Sequence, residues 1–133
     1  MQGAQQMTTK GYTGWALNSE QRKYLLVQFP PAYERVIAHH CTVKFGVNSD
    51  HSLPEEREGL IVGVADDGEG VQALVLRING TTHKPDGGTW HITWSLAPGR
   101  KPVESNSVIA HKGWRQVEPV AIALQPQFFP MGS

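Results

Sequence analysis

The sequence predicts a strand-dominated α+β domain, and three observations carry that reading. Short runs of β-branched and aromatic residues recur along the chain, with turn-forming residues between them. Helical spacing of apolar residues is confined to two short stretches. No apolar run reaches the length of a long buried helix or a membrane span.

Each element follows in turn. Residues 1–10 are polar and are expected to be a flexible N-terminus. Residues 12–17 (YTGWAL) crowd aromatic and apolar side chains into six positions and read as a strand. Asn18 then offers an N-cap oxygen with Gln21 three places on, a capping-box pattern. Arg22, Leu25, Leu26 and Phe29 follow at helical spacing, which predicts a helix over 19–28 that Pro30-Pro31 stops. Residues 36–45 (VIAHHCTVKF) read as one strand and 47–57 as a loop. Residues 60–65 and 71–78 are apolar strands joined across DDGEG, a hairpin signal. The loop NGTTHKPDGG leads into a strand at 90–96 (WHITWSL). A short helix over 105–113 and a strand over 117–124 complete the domain. The domain is expected to span 11–125, leaving 126–133 within the Pro-rich QPQFFPMGS as an irregular tail.

Composition narrows the function classes. The apolar fraction of 39% is ordinary for a globular domain with a real core. Twelve basic and twelve acidic residues cancel. A protein that grips duplex nucleic acid through its phosphates is usually visibly basic, so duplex DNA is not an expected partner. A small nucleotide or an RNA end suits this charge better. The single Cys41 excludes an internal disulfide framework and a Cys-rich zinc site. With no apolar span and no charged-then-apolar start, the expectation is a soluble cytoplasmic protein without a membrane partner.

Two segments carry the chemistry, HCTVKF at 40–45 and HITWSL at 91–96. Alternate residues of a strand share a face, so His40, Thr42 and Lys44 point one way and Cys41, Val43 and Phe45 the other. Likewise His91, Thr93 and Ser95 oppose Ile92, Trp94 and Leu96. Each strand buries an apolar face and offers an imidazole beside a hydroxyl on the other. Side by side, the two would supply what phosphoester cleavage without a metal or other cofactor requires. A neutral histidine takes a proton from the attacking oxygen, and a protonated one gives a proton to the leaving oxygen. The threonine hydroxyls donate to the phosphate oxygens as charge accumulates, and Lys44 adds positive charge.

These paired His-x-Thr motifs, each followed by alternating apolar residues, resemble the 2H phosphoesterase superfamily. The strand, capped helix and VIAHHCTVKFG are similar to the first lobe of such proteins, and the resemblance covers most of 11–124. It implies a compact bilobal, pseudo-symmetric α+β fold with antiparallel sheets around a central cleft. It also implies that His40, Thr42, His91 and Thr93 are the catalytic residues. The implied activity is cleavage of a nucleotide phosphodiester, either a 2′,3′-cyclic phosphate or the 3′,5′ link of RNA or a cyclic oligonucleotide. The alternative is a catalytically silent module that binds nucleotides or RNA ends in the same cleft.

The remaining candidates divide by face and surroundings. His39 faces away from His40 in a regular strand and reads as structural. His51, His83 and His111 lie in polar segments, and no metal-ligand spacing connects them. Tyr12 is the candidate base-stacking platform. Trp114, between Lys112 and Arg115 in sequence, is a candidate for the cleft rim. The GTTHKPDGG loop lacks a phosphate-loop pattern and reads as either a lid or an ordinary connector.

Overall fold

The computed structural model describes residues 9–131. In chain order the elements are β1 (Lys10–Ala16), α1 (Ser19–Gln28), β2 (Arg35–Val36), β3 (His40–Asn48), β4 (Glu58–Asp66) and β5 (Val71–Arg77). They continue with β6 (His91–Leu96), α2 (Glu104–Lys112), β7 (Arg115–Ala123) and β8 (Gln125–Pro130). The flexible segment expected over 1–10 lies outside the described residues as far as position 8, and Lys10 already belongs to β1. No helix among the described residues is long and apolar enough to cross a membrane.

All the strands join one curled antiparallel sheet in the order β7-β4-β5-β6-β3-β1-β8, with β2 also paired to β6. The two wings, β8-β1-β3 and β6-β5-β4-β7, meet where β3 and β6 share the single pair Cys41–Ile92. The expected antiparallel sheets are therefore one continuous sheet with a narrow waist. Both residues of the waist are buried, at 1% exposure each.

Burial on both faces explains the near-continuous apolar run of β5 (VQALVLR), broken within the strand only by buried Gln72. One face packs Trp15, Ile61, Leu74, Leu76, Ile92, Trp94 and Ile122 against Leu25 of α1. The other packs Val62, Val71, Ala73, Val75 and Leu96 against Val108 and Ile109 of α2. The predicted cap forms, with the Gln21 amide donating to Asn18 Oδ1 at 2.8 Å. Gln21 also ties α1 to β7, donating to Ala123 O at 2.9 Å and accepting from Ala123 N at 2.7 Å.

Two local readings are corrected. The tail from Gln125 is not irregular: it is β8, the edge strand beside β1, and Phe129 is buried within it. An edge strand tolerates Pro126 and Pro130, because one side of its ladder has no partner to miss an N–H. The strand read over 36–45 is interrupted. The amide of Ala38 donates to Thr93 O at 3.1 Å, and the next pair along is Cys41–Ile92. His39 and His40 therefore form a two-residue bulge with no counterpart on β6. Ala38 takes φ 44°, a left-handed value unusual for alanine, and Arg22 Nε holds its carbonyl at 2.8 Å.

Candidate active site

Antiparallel pairing at the waist dictates the arrangement of the four motif residues. With Cys41 opposite Ile92, Thr42 lies across from His91, and Thr93 lies beside the bulge that carries His40. All four line one cleft of about 490 Å³, together with Tyr12, Ile37, Phe45, Lys84, Asp86, Pro102, Val103 and Asn106. Close approach of β1 helps to build it. A Cβ at Gly14 would meet Cys41 O at 2.2 Å, so only glycine lets the two backbones come this near.

The two imidazoles are held differently. His91 Nδ1 lies 2.8 Å from Thr89 O. A carbonyl can only accept, so Nδ1 carries the proton and a neutral His91 has a bare Nε2. His40 Nδ1 lies 3.0 Å from His39 Nδ1, and its ring packs on Tyr12 (5.2 Å) and Phe129 (4.8 Å). Burial, with the neighbouring His39 and His91, pushes the His40 pKa down to about 4. Burial lowers His91 as well, with Thr89 O opposing the shift and Lys84 adding to it. His40 is thus neutral at pH 7. An anion between the rings would favour protonation.

The threonines also differ. Thr93 is buried, with Oγ1 2.9 Å from Ser105 Oγ and 3.3 Å from Pro102 O at the start of α2. Its hydroxyl ties β6 to α2 as well as facing the cleft. Thr42 is half-buried, and no hydrogen bond to a described neighbour engages its hydroxyl.

A second bulge corrects the face assigned to Lys44. Gly14 pairs with Thr42 but Thr13 pairs with Lys44, so Val43 is an extra residue on β3. The alternation flips beyond it. Lys44 is exposed and outside the cleft, whereas Phe45 lines the cleft with 66% of its surface open. The cleft's cation is instead Lys84, from the loop read as a lid or connector. Its side chain is 11% exposed, with Nζ 3.8 Å from Asp86 Oδ2 and 5.7 Å from the Trp90 ring centroid. That loop is a small hairpin tied by the His83–Thr89 bridge and by Trp90 N donating to Thr82 O at 2.9 Å. Its tip turns at Pro85-Asp86-Gly87, where Gly87 has φ 100°.

Tyr12 reaches the cleft, but its ring is stacked against Phe45 (5.8 Å) and Phe129 (5.0 Å). Phe45 therefore offers the open aromatic surface. Trp114 does not line the cleft. It covers Gly63 of β4, where an added Cβ would meet the indole at 2.1 Å. His39 stands beside His40 instead of on the opposite face, because the bulge breaks the alternation. Lys84 and Phe45 were missed as site residues. The turn signal before His91 marks Lys84, while nothing local marks the bulge at Val43. Among the described residues, no three His, Cys, Asp or Glu side chains converge as metal ligands.

No family model, no curated protein and no solved structure matches this chain.

Proposed function

We propose that the protein is a metal-independent phosphodiesterase of the 2H type, acting on a small nucleotide or an RNA end. The observation that carries this reading is the convergence of His40, Thr42, His91 and Thr93 on one cleft, from two strands that meet at a single residue pair. A binding module needs donors and charge, and two half-buried imidazoles that stay neutral until an anion arrives are a poor way to supply either. They suit proton transfer, since each can give or take a proton at a ring nitrogen as the phosphate reacts. We read the two wings of the sheet as the compact counterpart of the two lobes of the 2H fold.

In the proposed reaction the phosphate lies between the imidazoles, with Thr42 and Lys84 near its non-bridging oxygens. One histidine deprotonates the nucleophile, a water for a cyclic phosphate or a 2′-OH for a 3′,5′ link. The other protonates the leaving oxygen. Thr42 strengthens its hydrogen bond as negative charge builds. Phe45 and its neighbour Tyr12 offer a stacking surface for an unpaired base. A cleft with one lysine and one aspartate suits one or two phosphates better than a long polyanion.

A panel of 2′,3′-cyclic mononucleotides, cyclic dinucleotides, cyclic trinucleotides and RNA ends, assayed in EDTA, tests the reading. At least one substrate is expected to turn over at an undiminished rate. Activity lost in EDTA and restored by zinc or manganese would contradict acid–base catalysis by the two histidines. Saturable binding with no turnover of any member would favour the silent module.

A further inference from the structure

His39 and His40 are consecutive, yet their rings meet on one side of the chain. The bulge after Ala38 allows this, and it brings the two Nδ1 atoms to 3.0 Å with the rings nearly perpendicular, at 82°. Both rings pack on Phe129, with centroids 5.7 and 4.8 Å away. A hydrogen bond between two Nδ1 atoms requires that one ring donate and the other accept. His39 is exposed and His40 is half-buried in the cleft wall. His91 differs, since its Nδ1 proton is pinned by the Thr89 carbonyl and a neutral ring is bare at Nε2. The cleft therefore contains one imidazole fixed as a proton acceptor and one attached to a second imidazole that reaches solvent.

We propose that His39 and His40 act as one proton-donating unit, with the excess proton held on solvent-facing His39 and delivered through His40, while His91 is the base. The proposal rests on the phosphodiesterase reading. His91 Nε2 takes the proton of the attacking hydroxyl as the new P–O bond forms. The leaving P–O bond breaks with its electron pair on the departing oxygen, which takes the Nε2 proton of His40. The Nδ1 proton of His39 passes to Nδ1 of His40, so His40 stays neutral throughout. Positive charge has moved from His39 to His91, and exchange with solvent restores the starting state.

The division of labour solves an electrostatic problem. A cation on His40 is opposed by burial and by the groups that face it, namely His39 before β3 and His91 on β6. Tyr12 on β1 and Phe129 on β8 complete its surroundings, and neither is charged near pH 7. Lys84, on the loop before β6, opposes a second cation on His91. A proton stored on exposed His39 keeps its hydration and avoids these costs. His39 is a positioning and relay residue, since it does not line the cleft.

The test compares wild type with His39→Asn, which keeps a polar side chain but holds no excess proton. Two substrates of one nucleotide are used, one with an alkoxide leaving group and one with 4-nitrophenolate, which leaves without a proton. On the alkoxide substrate kcat is expected to fall roughly 10- to 100-fold, a share of the ~10²–10⁴ that general acid–base catalysis supplies. On the nitrophenyl ester kcat should barely change. In the unliganded protein, imidazole ¹⁵N spectra should show one proton shared between Nδ1 of His39 and Nδ1 of His40. In His39→Asn, His40 should bind its proton at higher pH than in wild type. Equal losses on both substrates, or an unmoved His40 titration, would overturn the proposal. Failure of the phosphodiesterase reading itself is separable, because wild type would then turn over neither ester.

Discussion

His40→Ala and His91→Ala are each expected to lower kcat by ~10²–10⁴-fold, the usual share of a positioned acid or base. Neither side chain belongs to the hydrophobic core, so both variants should fold. His40→Ala removes ring packing against Tyr12 and Phe129, and His91→Ala removes the contact to Thr89 O. Both losses are local. Ground-state binding should change less than turnover, because the imidazoles act chiefly as protons move. The double variant should fall about as far as the worse single one, since acid and base serve the same step. Steady-state kinetics of the three variants, with circular dichroism to establish folding, checks this. Wild-type kcat in either single variant would remove that histidine from the mechanism.

The threonines should separate catalysis from stability. Thr42→Val deletes a hydroxyl that no described neighbour engages, and the loss of a donor to developing charge costs about 10²–10³-fold in kcat. Its unfolding free energy should stay near wild type. Thr93→Val removes the partner of Ser105, which is 0% exposed, and weakens the tie between β6 and α2. A buried hydroxyl left unsatisfied costs about 1–3 kcal/mol, so Thr93→Val should be the less stable protein by that margin. Urea denaturation of both variants beside wild type measures the difference. Equal midpoints and slopes would show that the Thr93–Ser105 contact contributes nothing to folding.

The parts of the fold that local chemistry decides were legible. Asn18 and Gln21 marked the start of α1, and Pro30-Pro31 marked its end. The alternation of HITWSL put Ile92, Trp94 and Leu96 on one apolar face; Ile92 and Trp94 share a core cluster, whereas Leu96 lies past a register shift between β5 and β6 and packs with Val108 and Ile109 on the other face. What was not legible depends on the partner strand. The bulges at His39-His40 and at Val43 exist because β6 and β1 pair in particular registers, and those registers are long-range. One bulge made His39 a neighbour of His40, and the other exchanged Lys44 for Phe45 at the cleft. β8 was missed because proline is read as a breaker, whereas an edge strand accommodates it. Trp114 looked suited to a cleft rim beside basic residues, but the bare backbone of Gly63 gives it a seat elsewhere.

The central claim is that one phosphate is held between two imidazoles, and imidazole NMR during titration with inorganic phosphate tests it most directly. The account predicts that the His40 and His91 resonances move together with one binding constant at one equivalent of bound phosphate. It predicts also that protonation of both rings shifts to higher pH in the complex, since the anion offsets the burial that lowers them. Movement of only one ring, or two rings responding with separate binding constants, would contradict a shared phosphate site.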